Sequence, residues 1–259
     1  MNYIFNIELY NDILLVMGIM AVVVFIFLHK IEAGYGVAYT KKWGPTINNK
    51  LGWILMEAPV FIAMLIIWWF SERRTEIVPI VMMLIFELHY FQRSFIFPLL
   101  IKGKGKMPLA IICMGITFNL INAYMIGGWL FHFSPTGTLS LAWFATPQFI
   151  VGLIIFIIGM IINIHSDYII RHLRGPGDTG HYIPKGGMFR YVTSANYFGE
   201  ITEWVGFSIL TWSPAGLMFA LWTFANLAPR AGKLHQRYIR EFGDEYRHLN
   251  RKKIIPFIY

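Results

Sequence analysis

Long apolar runs separated by short polar stretches divide the 259-residue chain into seven segments. A bilayer crossing needs about 20 mainly apolar residues, and the runs at about 10–29, 51–70, 77–100, 108–131 and 147–170 have that length. A sixth helix is predicted at about 190–211, and Ser213-Pro214 breaks it. A seventh runs from about 214 to 229, followed by the amphipathic, basic tail RAGKLHQRYIREFGDEYRHLNRKKIIPFIY. The stretch 30–50 carries Lys30, Lys41, Lys42 and Lys50, broken by Gly34, Gly36, Gly44 and Pro45. KGKGK at 102–106 and the Gly/Pro-rich loop 171–189 are also basic. In contrast, Glu72-Arg73-Arg74-Glu76 nets to zero and 132–146 holds no charged residue. Basic sequence therefore follows the first, third, fifth and seventh segments. That alternation predicts seven spans with the N-terminus outside and the C-terminus in the cytoplasm, because cytoplasmic loops collect Lys and Arg. Six spans break the alternation at the tail.

Composition agrees with this reading. Hydrophobic residues make up 56% of the chain and charged residues 14%, against about 25% charged in soluble domains, and mean hydropathy is +0.54. An all-α integral membrane bundle, one polytopic domain over 1–259, is predicted. No repeat or low-complexity segment interrupts it. The net charge of +8 would suit nucleic acid in a soluble protein. Here loop bias and anionic lipid account for it, and a polyanionic cofactor is a second use. The single cysteine, Cys113, excludes an intramolecular disulfide. Glu8 and Asp12 stand where a cleavable signal peptide would be basic. The expectation is a multi-pass protein, monomeric, in the inner or plasma membrane of a bacterium or the endoplasmic reticulum of a eukaryote.

The polar residues inside this apolar pattern carry the chemistry. Asn163, Asp167, Arg171 and Arg174 are spaced four, four and three apart, which predicts one helical face. Asn196, Glu200 and Glu203 repeat helical spacing after the break. Ionisable groups continuing membrane helices are costly and usually face a cavity. The plainer reading is a pair of solvated helix ends, but Asn163 and Glu200 lie deep in apolar sequence. Topology also brings Lys102, Lys104, Lys106, Arg171, Arg174, Arg230 and Lys233 to the cytoplasmic side, where most would snorkel to lipid phosphates. Arginines beside carboxamides and carboxylates suit a nucleotide: guanidinium for phosphate, Asn and Asp or Glu for ribose and base. No GxGxxG follows a strand, which excludes a Rossmann site. A metal is not expected, since His165 and Asp167 diverge on a helix and no HxxxH pair occurs.

Deeper in the bundle, Glu57 sits mid-span in the second segment and Tyr90 in the third, with Glu87 and Arg93 three residues to either side of Tyr90. A mid-bilayer carboxyl without a cation is expected as the neutral acid, able to donate to or orient a phenol. Such a pair at the bottom of an apolar cavity has the form of an oxyanion hole for an enolate. The alternative is a hydrogen bond that glues two helices.

INIHSDYIIRHLRGPGDTG, IPKGGMFRYVTSANYFGEITEW and KKIIPFIY closely resemble steroid 5α-reductases, and WILMEAP and LHYFQRSFIFPLL resemble that family's second and third helices. The resemblance covers roughly 50–259 and is weak over 1–49. It implies a seven-helix enzyme that reduces the Δ4 double bond of 3-oxosteroids with NADPH. By position, Glu57 and Tyr90 would hold the substrate's C3 carbonyl. Asn163, Asp167, Arg174, Asn196, Glu200, Arg230 and Tyr238 would contact the cofactor, with Lys104 and Arg171 in support. The substrate cavity would lie mainly in helices 1–4 and the cofactor site in helices 5–7 and the cytoplasmic loops. Met56 stands where the family usually has Gln, and His181-Tyr182 replaces a Tyr-Arg pair; these departures point to a distant member. The competing readings are a membrane S-adenosylmethionine-dependent methyltransferase, which has no need of Glu57 and Tyr90, and a non-enzymatic sterol- or lipid-binding protein. A transporter would show broken helices or repeat halves, which the sequence lacks.

Overall fold

The computed structural model describes residues 5–31, 43–103, 105–175, 178 and 180–259. Helices dominate: α1 (Ile7–Lys30), α2 (Asn49–Trp69), α3 (Ile77–Leu100), α4 (Leu109–Phe133), α5 (Pro147–Arg171), α6 (Ala195–Thr211), α7 (Pro214–Phe242) and the short α8 (Asp244–Arg247). Of these, α1 to α5 are long and apolar enough to cross a membrane. The protein is thus an all-α, multi-pass membrane protein. Local sequence sets several starts. Asn6 and Asn48 accept hydrogen bonds from the backbone N–H of Glu8 and Lys50. Thr146 and Ser213 cap α5 and α7 ahead of Pro147 and Pro214, each proline sitting in the first turn where its missing N–H costs nothing.

Three features differ from the sequence expectation. The sixth helix starts at Ala195, not near 190, because Gly187–Arg190 forms a tight turn and Thr193 and Ser194 donate their N–H groups to the carbonyls of Lys252 and Lys253. The helix expected to stop near 229 runs on through Pro229 to Phe242. A two-stranded antiparallel sheet pairs Thr46–Asn48 with Lys106–Pro108 and joins the entries to α2 and α4.

α5 and α6 touch backbone to backbone. A Cβ added at Gly152 would strike the backbone of Leu210, at Gly159 that of Glu203, at Gly199 that of Asn163 and at Gly206 that of Phe156. Both glycine pairs are seven residues apart, so each helix presents a flat stripe that lets the other approach, the small-residue packing typical of membrane helices. The same crossing brings Asn163 beside the start of α6. Around it, Phe86, Phe156, Trp204, Phe207 and Phe219 form the centre of the core, with Trp204 and Phe219 ring centroids 4.3 Å apart. Gly159→Leu puts a side chain into a main chain that has no room to give. It should prevent α5–α6 docking, which a loss of monodisperse protein on gel filtration and a fall in melting temperature would report. Wild-type behaviour would mean that the helices tolerate separation there.

Candidate functional site

The site descends in layers along α3, whose residues His89, Tyr90 and Arg93 all point into the bundle. In the innermost layer Tyr90 is 3% exposed and its hydroxyl accepts a hydrogen bond from Asn122 Nδ2 at 3.2 Å. Glu57 Oε2 accepts from Asn119 Nδ2 at 3.1 Å, and the same nitrogen donates to the Met56 carbonyl at 2.8 Å. Asn119 and Asn122 are three apart on α4, so one helical face of α4 holds both members of the expected pair. Glu57 and Tyr90 are bonded to these two asparagines and not to each other. Asn122 Oδ1 is buried without a hydrogen-bond partner.

One layer out, His89 Nδ1 meets Glu203 Oε1 at 2.8 Å in a fully enclosed contact between α3 and α6. A turn further, Arg93 lies 3.4 Å from Asp167 Oδ2 and 3.8 Å from Glu200 Oε2, with its guanidinium over the rings of Trp53 and Phe97 at 4.7 and 4.4 Å. Asn196 Nδ2 donates to Asp167 Oδ1 at 3.3 Å, and Asn163 Nδ2 donates to the Asn196 carbonyl at 2.9 Å. The structure therefore brings Asn163, Asp167, Asn196 and Glu200 together. Arg93, read from sequence only as a neighbour of Tyr90, offsets the charge of two of them. The turn Gln92–Ile96 is widened to π geometry, a local irregularity that recurs at functional sites.

The outermost layer belongs to the tail. Arg230 donates to Asn226 at 3.1 Å and lies over the ring of Tyr197 at 5.4 Å. Tyr238 is buried between His181 and Tyr246, with ring centroids 5.3 and 5.2 Å away. Burial, then the neighbouring Tyr246, pushes the Tyr238 phenol up to about 12. His181 Nδ1 pairs with Glu241 at 2.6 Å. Thr193 Oγ1 meets His235 Nδ1 and the Tyr246 hydroxyl. Beside them Arg251 is 8% exposed, and its Nε and Nη1 have no hydrogen-bond partner.

Two expected residues lie at the margin of this gathering. Arg171 is half-buried at the end of α5, but Arg174 does not continue its face: the helix ends at Arg171 and Arg174 is exposed on the following loop. Lys104 lies outside the described residues.

Residues 105–259 match the family model described as 3-oxo-5-alpha-steroid 4-dehydrogenase. The chain is 36% identical over 240 residues to the steroid 5-alpha-reductase DET2 of Arabidopsis thaliana, covering 90% of each. It is 37% identical over 249 residues to the 3-oxo-5-alpha-steroid 4-dehydrogenase 1 of Mus musculus, covering 93% of each. Against the human protein of that name it is 41% identical over 216 residues, 82% of this chain and 81% of the other. The chain belongs to the 3-oxo-5-alpha-steroid 4-dehydrogenase family. It is an oxidoreductase by family.

Within that family reading, Met56 departs from the expected Gln with little consequence for the polar layer. Its side chain is buried with Met107, Ile111 and Ile112 and lies against Gly115, while its carbonyl still anchors Asn119. His181 stacks on Tyr238, so the altered His181-Tyr182 pair supports the tail cluster through an aromatic contact. Sequence reasoning missed Asn119 and Asn122, although two carboxamides three apart in an apolar run were a readable signal. It also missed the pairing of His89 with Glu203, and Arg251, which sits in a tail too rich in Arg and Lys for one to stand out.

Proposed function

We propose that this protein reduces the C4–C5 double bond of a 3-oxo-Δ4-steroid, or of a steroid-like enone, with NADPH, acting as a monomer in the bilayer. The observation that carries this reading is the bonding of Tyr90. Asn122 donates to the phenol oxygen, so the phenol's own hydrogen is free to be given to a substrate. A carbonyl oxygen placed there receives a bond from Tyr90 and, with Glu57 in its acid form beside Asn119, a second one. Polarising the C3 carbonyl makes C5 electrophilic. When bound, NADPH supplies the hydride. Charge then builds on the carbonyl oxygen as an enolate, where both donors strengthen as it develops and so lower the barrier beyond any gain in binding. Water is the proposed source of the C4 proton.

The residues present fit the cofactor. A buried guanidinium with two nitrogens that lack a hydrogen-bond partner, Arg251, together with Arg171, Arg174 and Arg230, suits a polyphosphate chain. Asp167, Glu200, Asn163 and Asn196 offer acceptors and donors for ribose and carboxamide groups. The substrate cavity is then formed mainly by helices 1–4 and the cofactor site by helices 5–7 and their loops, with Tyr238 at its outer edge. NADPH should bind more tightly than NADH, because the extra phosphate needs Arg or Lys. Arg174→Ala should weaken NADPH binding by about 1.5–3 kcal/mol, the usual worth of a hydrogen bond to a charged group, measured by isothermal titration in detergent. Equal affinity for the two cofactors, or tight S-adenosylmethionine binding, would overturn the assignment.

The topology follows the same reading. α6 and α7 pack along α5 and α1, which supports seven spans, and the alternation of loop charge supports an N-terminus outside and a C-terminus in the cytoplasm. Reporter fusions after residues 40, 104, 180 and 250 should all give cytoplasmic signals; an outside signal at 180 would remove the cofactor reading as well.

A further inference from the structure

A groove of about 520 Å³ opens between the end of α1, the second half of α7 and the C-terminal tail, away from the layers described above. Lys30, Lys233, Arg240 and Lys253 line it together with Gln236 and Tyr259. Among the described residues that line it, no side chain is acidic. The nearest carboxylate in sequence, Glu241, is turned to His181 and Arg237 instead. Lys253 Nζ sits 4.0 Å from the centroid of the Tyr259 ring, which props the ammonium at the groove wall. Concentrating Lys30, Arg240 and Lys253 in one concavity favours an anion there.

The groove is on a different side of α7 from the residues assigned to the cofactor. Arg230 and Tyr238 face Tyr197 and the His181–Tyr246 stack. Lys233, Gln236 and Arg240, spaced three and four apart, form the opposite stripe and look toward α1. What lies below the groove identifies the anion's source. Ile19, Val22, Val23, Ile26 and Phe27 are 45–61% exposed on α1, and their three- and four-residue spacing leads to Lys30 at the helix end. An apolar stripe that runs along a membrane helix and ends in a cationic concavity matches a molecule with a long apolar part and an anionic head. We infer that this groove holds the headgroup phosphate of one anionic phospholipid, whose acyl chains lie along the exposed face of α1. This inference depends on neither the proposed reaction nor the orientation of the bundle.

Native mass spectrometry of the full-length protein, with equal amounts of phosphatidylglycerol and phosphatidylcholine of the same acyl chains, tests it. One phosphatidylglycerol should be retained per chain, with a preference of roughly 125-fold, since each of Lys30, Arg240 and Lys253 at an anionic headgroup is worth about fivefold. The double variant Lys30→Gln/Lys253→Gln should lower the preference to about fivefold, and Lys30→Arg/Lys253→Arg should keep it. Arg240→Gln, an exposed single change, should lower it about fivefold by the same rule and serves if the double variant does not fold. Equal retention of both lipids by the wild type, or an unchanged preference in Arg240→Gln, would overturn the inference. So would displacement of the lipid by excess inorganic phosphate, which would make this a free-anion site. A loss of NADPH affinity in the glutamine variants with lipid retention unchanged would reassign the groove to the cofactor.

Discussion

Tyr90→Phe should lower kcat on a 3-oxo-Δ4-steroid by about 10²–10³, the usual cost of deleting one oxyanion donor, while leaving NADPH affinity nearly unchanged. The ring stays, so the packing against Phe86 and Trp204 is kept; only the hydroxyl that Asn122 orients is removed. The loss belongs in kcat because the hydrogen bond strengthens as the carbonyl gains charge, whereas KM reports ground-state contacts. The companion changes at Glu57 discriminate further. Glu57→Gln keeps a donor next to Asn119 and should be milder than Glu57→Leu, which also leaves the Asn119 amide short of an acceptor. The measurement is steady-state loss of NADPH absorbance with product mass. A Tyr90→Phe enzyme that turned over enone at the parent rate would make the Tyr90 and Glu57 contacts structural and move the search for the polarising group elsewhere.

Arg93→Leu should be the most damaging change to stability in the polar layers. It removes the guanidinium between Asp167 and Glu200, and a buried carboxylate stripped of its partner costs about 3–5 kcal/mol. Asp167 is only 4% exposed, so water cannot readily replace what is lost. The expected result is a melting temperature lowered by several degrees in detergent, with weakened NADPH binding, because Asp167 also holds Asn196. Adding Glu200→Gln to Arg93→Leu removes one of the stranded charges and should restore part of the loss. The sum of the two single effects would then exceed the effect of the pair, a coupling that a double-mutant cycle measures. Strict additivity would show that the ion pairs contribute nothing and that Arg93 matters through Trp53 and Phe97 alone.

The bundle was largely legible in the chain because each long apolar run must become a helix in a bilayer, where every backbone polar group needs an internal partner. Polar residues were harder to interpret. Periodicity placed Asn163 and Asp167 on one face correctly, but it could not see that the helix stops before Arg174. The helix ends at Arg171 through local backbone geometry at His172, which leaves the hydrophobic pattern untouched. The partners of Arg93 and His89 were beyond sequence reasoning for another reason: they lie 74 and 114 residues away in the chain, and spacing carries no information about contacts between helices. The strand pair at Thr46–Asn48 and Lys106–Pro108 is three residues long on each side, too short for an alternating pattern to register.

Those long separations also set an order of events at the ribosome. At about 5–20 residues per second, the 114 residues between His89 and Glu203 correspond to roughly 6–23 s of synthesis. Arg93 is made before Asp167 and Glu200, and the start of α6 is tied down only when Lys252 and Lys253 arrive. A nascent chain of this protein therefore carries an uncompensated arginine and histidine through insertion, and a chain that stops early never loses them. The contacts that shape the site therefore form only after most of the chain has been made, and a chain cut before α6 leaves polar side chains facing an apolar medium.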